Sequence, residues 1–198
     1  MFLKEEMTEF VPGTVMARSA SDNATGMEFL HRVYFVSDGI KLSQLREISG
    51  VDGTTLQNWV KRGWLLNPVN KLYGIDQLAR ILIINMMRDT VQLSRISFLL
   101  SYINGRIDTA DDDIVQESVL YDYICRVLDI IDPDAPDARL RHVIAEVTSD
   151  YEERFPGAGD RLTTALEIIV RAYQATILKR HTDKLFEKIE ADGMPQVL

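Results

Sequence analysis

The stretch LSQLREISGVDGTTLQNWVKRGWLLNPVNKLY, residues 42–73, decides how the chain is read. Leu42, Leu45 and Ile48 recur every third residue and predict a helix over 42–49 with one apolar face. Gly50 ends it, because glycine accepts the positive φ of a helix C-terminus. Val51 supplies an apolar plug, and Asp52 a short carboxylate able to cap the next helix. Two helices packed at a sharp angle are therefore expected. The second, over 53–62, places Thr55, Leu56, Trp59 and Val60 on one face and Thr54, Gln57, Asn58 and Lys61 on the other. That polar stripe holds no acid. Hydroxyl, amide and ammonium groups are the side-chain types that bond phosphate oxygens and base edges in a major groove. Arg62 lies beside the stripe and Gly63 stops the helix. Beyond it, Trp64-Leu65-Leu66, Pro68 and Lys71-Leu72-Tyr73 predict a tight two-stranded connection. Asn70 and Lys71 sit at its tip, where a cation can lie along a phosphate backbone or minor groove.

These residues resemble the MerR-type winged helix-turn-helix. The resemblance rests on Gly50-Val51, Thr55-Leu56, Trp59, Gly63, Leu65, Pro68, Lys71, Tyr73 and the Gln77-Leu78-Ala79 opening of the next helix, and covers residues 40–104. Thr55, Asn58, Val60-Lys61, Gly63, Pro68, Lys71, Tyr73, Ala79 and Val91 also resemble a group of uncharacterised Gram-positive bacterial proteins that join such a domain to a helical tail. The resemblance implies a bacterial transcription regulator that reads double-stranded DNA in a sequence-specific way. Thr54, Gln57, Asn58 and Lys61 would meet bases and phosphates, with Arg62, Asn70 and Lys71 beside them. In that family an arginine usually stands where this chain has Gln57. A second class stays open: a protein-docking module whose winged helix binds another regulator while the helical region mediates assembly.

Charge is distributed unevenly. The net charge is −8 and the pI near 4.9, values that argue against nucleic acid when taken over the whole chain. Residues 40–106, however, hold nine Lys/Arg against four Asp/Glu, whereas residues 107–198 hold ten against twenty. The excess acid lies outside the segment expected to touch DNA, and the local sign governs contact.

The remainder reads as helical. Residues 77–89 and 93–104 complete the small domain, the first apolar nearly all round. Helices are expected over 114–131, 137–155 and 160–191, punctuated by Pro133, Pro136 and Pro156-Gly157. The last, roughly 45 Å long at 1.5 Å per residue, outruns a three-helix bundle and offers a surface for a homodimer. The fold class is thus mainly α, a MerR-like winged helix-turn-helix followed by a C-terminal helical bundle. Its expected divisions are an N-terminal extension over 1–39, partly flexible, the DNA-binding domain over 40–106 and an acidic helical domain over 107–198. Within the extension, 19–26 is small and polar and reads as a flexible loop, while 27–36 fits either a strand or a short helix.

Catalytic constellations are missing from the sequence. His31, His142 and His181 stand alone, and the acids at 108–113 lack the glycine and glutamate spacing of a calcium loop. Gly157-Ala158-Gly159 lacks the third glycine of a dinucleotide fingerprint. No enzyme activity, metal or cofactor is expected, and a small-molecule effector is left unspecified. The apolar runs fall short of the ~18 residues that span a bilayer. The lone Cys125 excludes an internal disulfide and suits core packing in a reducing compartment, so a cytoplasmic location is expected.

Overall fold

Apolar residues spaced three and four apart build nine α-helices in the computed structural model, which describes residues 2–34, 39–107, 109 and 111–192. In chain order they are α1 (Phe2–Glu9), α2 (Gly26–Tyr34), α3 (Leu42–Ser49), α4 (Gly53–Lys61), α5 (Ile75–Met87), α6 (Leu93–Asn104), α7 (Glu117–Ile130), α8 (Asp137–Val147) and α9 (Ala158–Asp192). Two short strands, β1 (Ile40–Lys41) and β2 (Leu72–Tyr73), form one antiparallel pair. The protein is mainly helical, and among the described residues no helix is long and apolar enough to cross a membrane.

The centre of the molecule is α5. Every residue from Leu78 to Met87 is buried, and the helix packs against α7 and α9 on one side and α3 on another. A run that is apolar at every position but Arg80 and Asn85 suits a helix covered all round. One continuous core therefore extends from Leu45, Leu56 and Trp59 through α5 to Leu128, Ile144 and Ile169. Asn85, buried within it, donates from Nδ2 to the Gly13 and Ser49 carbonyls, both at 2.8 Å. Gly13 can approach so closely because it lacks a side chain. A Cβ there would stand 2.4 Å from the Leu82 carbonyl oxygen, and its φ is +76°.

The N-terminal segment folds onto this core. A 3-10 turn over Arg18–Ser21 runs into residues 19–26, expected as a flexible loop, and Ser21 Oγ donates to the Arg18 and Ala24 carbonyls. Small polar side chains satisfy local backbone groups and so order such a turn. The ambiguity over 27–36 resolves to helix through Tyr34. Asp122 accepts the Met27 N–H at 2.7 Å near its start, and Tyr34 Oη donates to the Tyr73 carbonyl. Phe35 and Val36 lie outside the described residues, as does Asp108 in the acidic link.

Several boundaries differ from those the sequence predicts, two of them by more than a few residues. Residues 64–66 do not pair with 71–73. Instead Ile40 faces Tyr73 and Lys41 faces Leu72. The carbonyls of Trp64, Leu66 and Asn67 are taken by Arg80 Nε and Gln77 Nε2 from α5, so this backbone is committed to a helix rather than a ladder. Similarly α8 ends at Val147 rather than near Phe155, and Tyr151 leaves the helical stripe to donate its hydroxyl to the Ile114 carbonyl.

Cys125 lies on α7, fully buried, and burial pushes its thiol up to about 12. A thiol so held carries almost no thiolate. The native protein is expected to show no reaction with a disulfide reagent at about pH 8, and the denatured chain to titrate one thiol; rapid labelling of the native protein would contradict this packing.

Candidate nucleic-acid interface

The turn between α3 and α4 is built as its residues dictate. Gly50 takes a φ of +68° and its N–H donates to the Arg46 carbonyl, while a Cβ there would meet Val15 at 2.5 Å. Val51 is buried and its N–H donates to Ser49 Oγ. Asp52 caps α4, accepting from Thr55 N at 2.8 Å and from Thr55 Oγ1 at 2.5 Å. Those two bonds hold its carboxyl below the usual range, so its charge is spent on the helix N-terminus.

Leu56 and Trp59 anchor α4 in the core. The rotation that buries them turns Thr54, Gln57, Asn58 and Lys61 to solvent, and all four are exposed. Past the helix, Val69 and Leu72 exchange both backbone hydrogen bonds around Asn70 and Lys71. Both tip residues have positive φ, 51° and 65°, as a two-residue type I′ turn requires. Asn70 tolerates that region, whereas Lys71 occupies the place where glycine is usual and carries backbone strain.

The structure brings Gln57, Lys61 and Lys71 together. They line one open groove of about 460 Å³ whose walls include Leu42, Pro68 and Tyr73. Thr54 and Asn58 are not among its walls, and Asn70 stands at the exposed tip. Arg62 is drawn aside, its guanidinium 5.2 Å above the Trp64 ring.

Two further cations belong to this region and were not singled out by sequence. Lys41 lies opposite Leu72, next to the tip, and Arg46 packs beside the start of α4. Only the local charge count pointed to them. Among the described residues, Lys41, Arg46, Lys61, Arg62 and Lys71 form no ion pair. They are five consecutive cations of the chain. The cations flanking them in sequence, Arg32 and Arg80, both pair with carboxylates. This run of the chain is thus left without carboxylate partners, while elsewhere, among the described residues, Arg95, Arg139, Arg154, Arg161 and Lys188 also form no ion pair.

Among the described residues, no group of three or more His, Cys, Asp or Glu side chains is arranged to hold a metal ion.

A family described as a domain of unknown function (DUF1836) matches residues 33–124, a span that includes the α3–α4 unit, α5, α6 and half of α7. The chain is also similar to an uncharacterised protein of Bacillus subtilis (strain 168), YkrK. The two are 25% identical over 161 residues, covering 77% of this chain and 69% of the other. No solved structure matches.

Proposed function

We propose that this protein is a bacterial transcription regulator of MerR-like winged helix-turn-helix type, acting in the cytoplasm, that binds double-stranded DNA through α4 and the 69–72 turn. The observation that carries the reading is the run of uncompensated cations beside a solvent-facing, acid-free polar helix face. Gln57, Asn58 and Thr54 have the chemistry to read base edges, and Lys61, Lys71, Arg62 and Lys41 to neutralise phosphates. The acidic C-terminal helices repel DNA elsewhere, which keeps non-specific binding weak.

A homodimer belongs to the same reading. The core covers α9 through Ile177, but Leu178, Leu185, Phe186 and Ile189 are exposed farther along it. Leu178, Leu185 and Ile189 are spaced seven and four apart, so they share one stripe. Pairing that stripe with a second copy would present two reading heads to a two-fold operator.

The test is selection of bound duplexes from a random double-stranded pool by the purified full chain at about 100 mM salt. An enriched motif is expected, with two-fold symmetry if α9 pairs. Asn58→Ala is expected to change which bases are enriched at one or two positions, since a lost base contact relaxes specificity there; an unchanged motif would remove Asn58 from the reading face. The exposed Leu66 and Val69 beside the groove favour the second reading, docking on another protein. Failure to enrich any duplex, together with recovery of one nuclease-insensitive protein partner, would favour that reading.

A further inference from the structure

The groove beside α4 has features that a phosphate contact does not use. Leu42, Val60, Pro68 and Tyr73 give it apolar walls, Lys61 and Lys71 flank them, and no carboxylate lines it. Contacts to phosphate are made by cations and hydrogen-bond donors, which leaves the apolar walls without a role. At about 460 Å³ the groove lies within the size range of small-ligand sites.

Tyr73 is the most informative wall. The residue is only 4% exposed, and its backbone is engaged by Ile40 and by the Tyr34 hydroxyl. Its own hydroxyl has no hydrogen-bond partner among the described residues, yet it is not one of the unpaired atoms sealed inside the core. A tyrosine this enclosed ordinarily bonds its O–H to the protein. Since Tyr73 is covered elsewhere and walls the groove, the groove is where its hydroxyl is open. Burial raises its pKa above the ordinary value, so at neutral pH it stays a donor. Lys61 and Lys71 have no carboxylate partner. Lys71 keeps its place at a φ of 65°, which glycine would adopt without strain, so its side chain is held there at a cost. The unmet demand of the groove is for an oxyanion, and its walls accept hydrocarbon.

We infer that this groove binds a small apolar carboxylic acid as its anion, the carboxylate accepting the Tyr73 O–H beside the Lys61 and Lys71 ammoniums and the hydrocarbon body resting on Leu42, Val60 and Pro68. The site stands on its own residues. Its consequence for DNA rests on the reading above: an acid seated here occupies the side of α4 that a duplex needs, so the two exclude each other.

The probe is 3-phenylpropionate, an anion at about pH 7, titrated calorimetrically into the full chain beside 3-phenylpropanamide and acetate. Saturable one-to-one binding of 3-phenylpropionate is expected, with each control at least about ten-fold weaker, because the amide lacks the charge and acetate the apolar body. Tyr73→Phe is expected to weaken the acid about ten-fold and Lys71→Ala about three-fold. The urea midpoint of Tyr73→Phe should match that of wild type, since the hydroxyl forms no bond within the protein. Equal binding of acid and amide, undiminished binding by Tyr73→Phe, or no saturable binding up to about 10 mM acid would overturn the proposal. At constant ionic strength, saturating 3-phenylpropionate is also expected to lower the affinity of wild type for a selected duplex. A duplex indifferent to the bound acid would overturn the exclusion, whereas failure to select any duplex while the acid still binds would overturn the DNA reading alone.

Discussion

Arg80→Ala is expected to lower the stability of the protein by about 3–5 kcal/mol, the cost of breaking a buried ion pair from one side. The guanidinium is 7% exposed and Glu117 12%, so removing the cation strands a carboxylate in the core and frees the Trp64 carbonyl. Urea unfolding of the purified variant measures the loss. A shift below about 1 kcal/mol would show that the pair is not the tie between α5 and α7. The sign of the pH dependence is set by Glu117. Burial already raises its carboxyl above the ordinary range despite the opposing pull of Arg80. A carboxyl raised in the folded state binds more protons folded than unfolded, so its contribution to stability falls as pH rises above the ordinary carboxylate range. Without Arg80 that rise grows. The deficit of Arg80→Ala relative to wild type at the same pH is therefore expected to be larger near neutrality than in mild acid. The double replacement Arg80→Met/Glu117→Leu should recover most of the loss, because an apolar pair leaves no charge stranded.

The second large effect concerns the groove. Lys61→Ala/Lys71→Ala is expected to weaken binding to a selected duplex about 50-fold at about 100 mM salt, each lysine releasing about one counterion from a phosphate. The slope of log affinity against log salt should become shallower by about two. Both residues are exposed and neither forms an ion pair among the described residues, so folding should be unaffected. Equal affinity of wild type and variant across a salt titration would remove this face from any DNA contact.

Much of this arrangement is legible in the sequence, and the legible parts share a cause. The α3 and α4 helices with Gly50 and Asp52 between them are specified by local rules of period, positive φ and capping, which need no knowledge of distant residues. The limits of α6 at Leu93 and Asn104 are local in the same sense. Tertiary demand defeats such rules. Ile114 and Val115 look helical because they are apolar, yet they are buried in the approach to α7, where the Val115 N–H donates to Asn104 Oδ1. Likewise 64–66 carries the composition of a strand, but Arg80 and Gln77, more than ten residues onward, claim its carbonyls. Of the candidate face, Thr54, Gln57, Asn58 and Lys61 are legible from helical period alone. Lys41 joins only through the pairing of β1 with β2, a contact across about thirty residues that no local pattern announces.

The burial of α5 bears on how the molecule can be dissected. A fragment limited to 40–106 would keep the reading helix but strip α5 of α7 and α9, turning an internal helix into an exposed apolar surface. Such a piece would be expected to aggregate or melt, and its silence in a binding assay would say nothing about the intact protein. Assignments made on excised fragments of chains built this way will err toward inactivity.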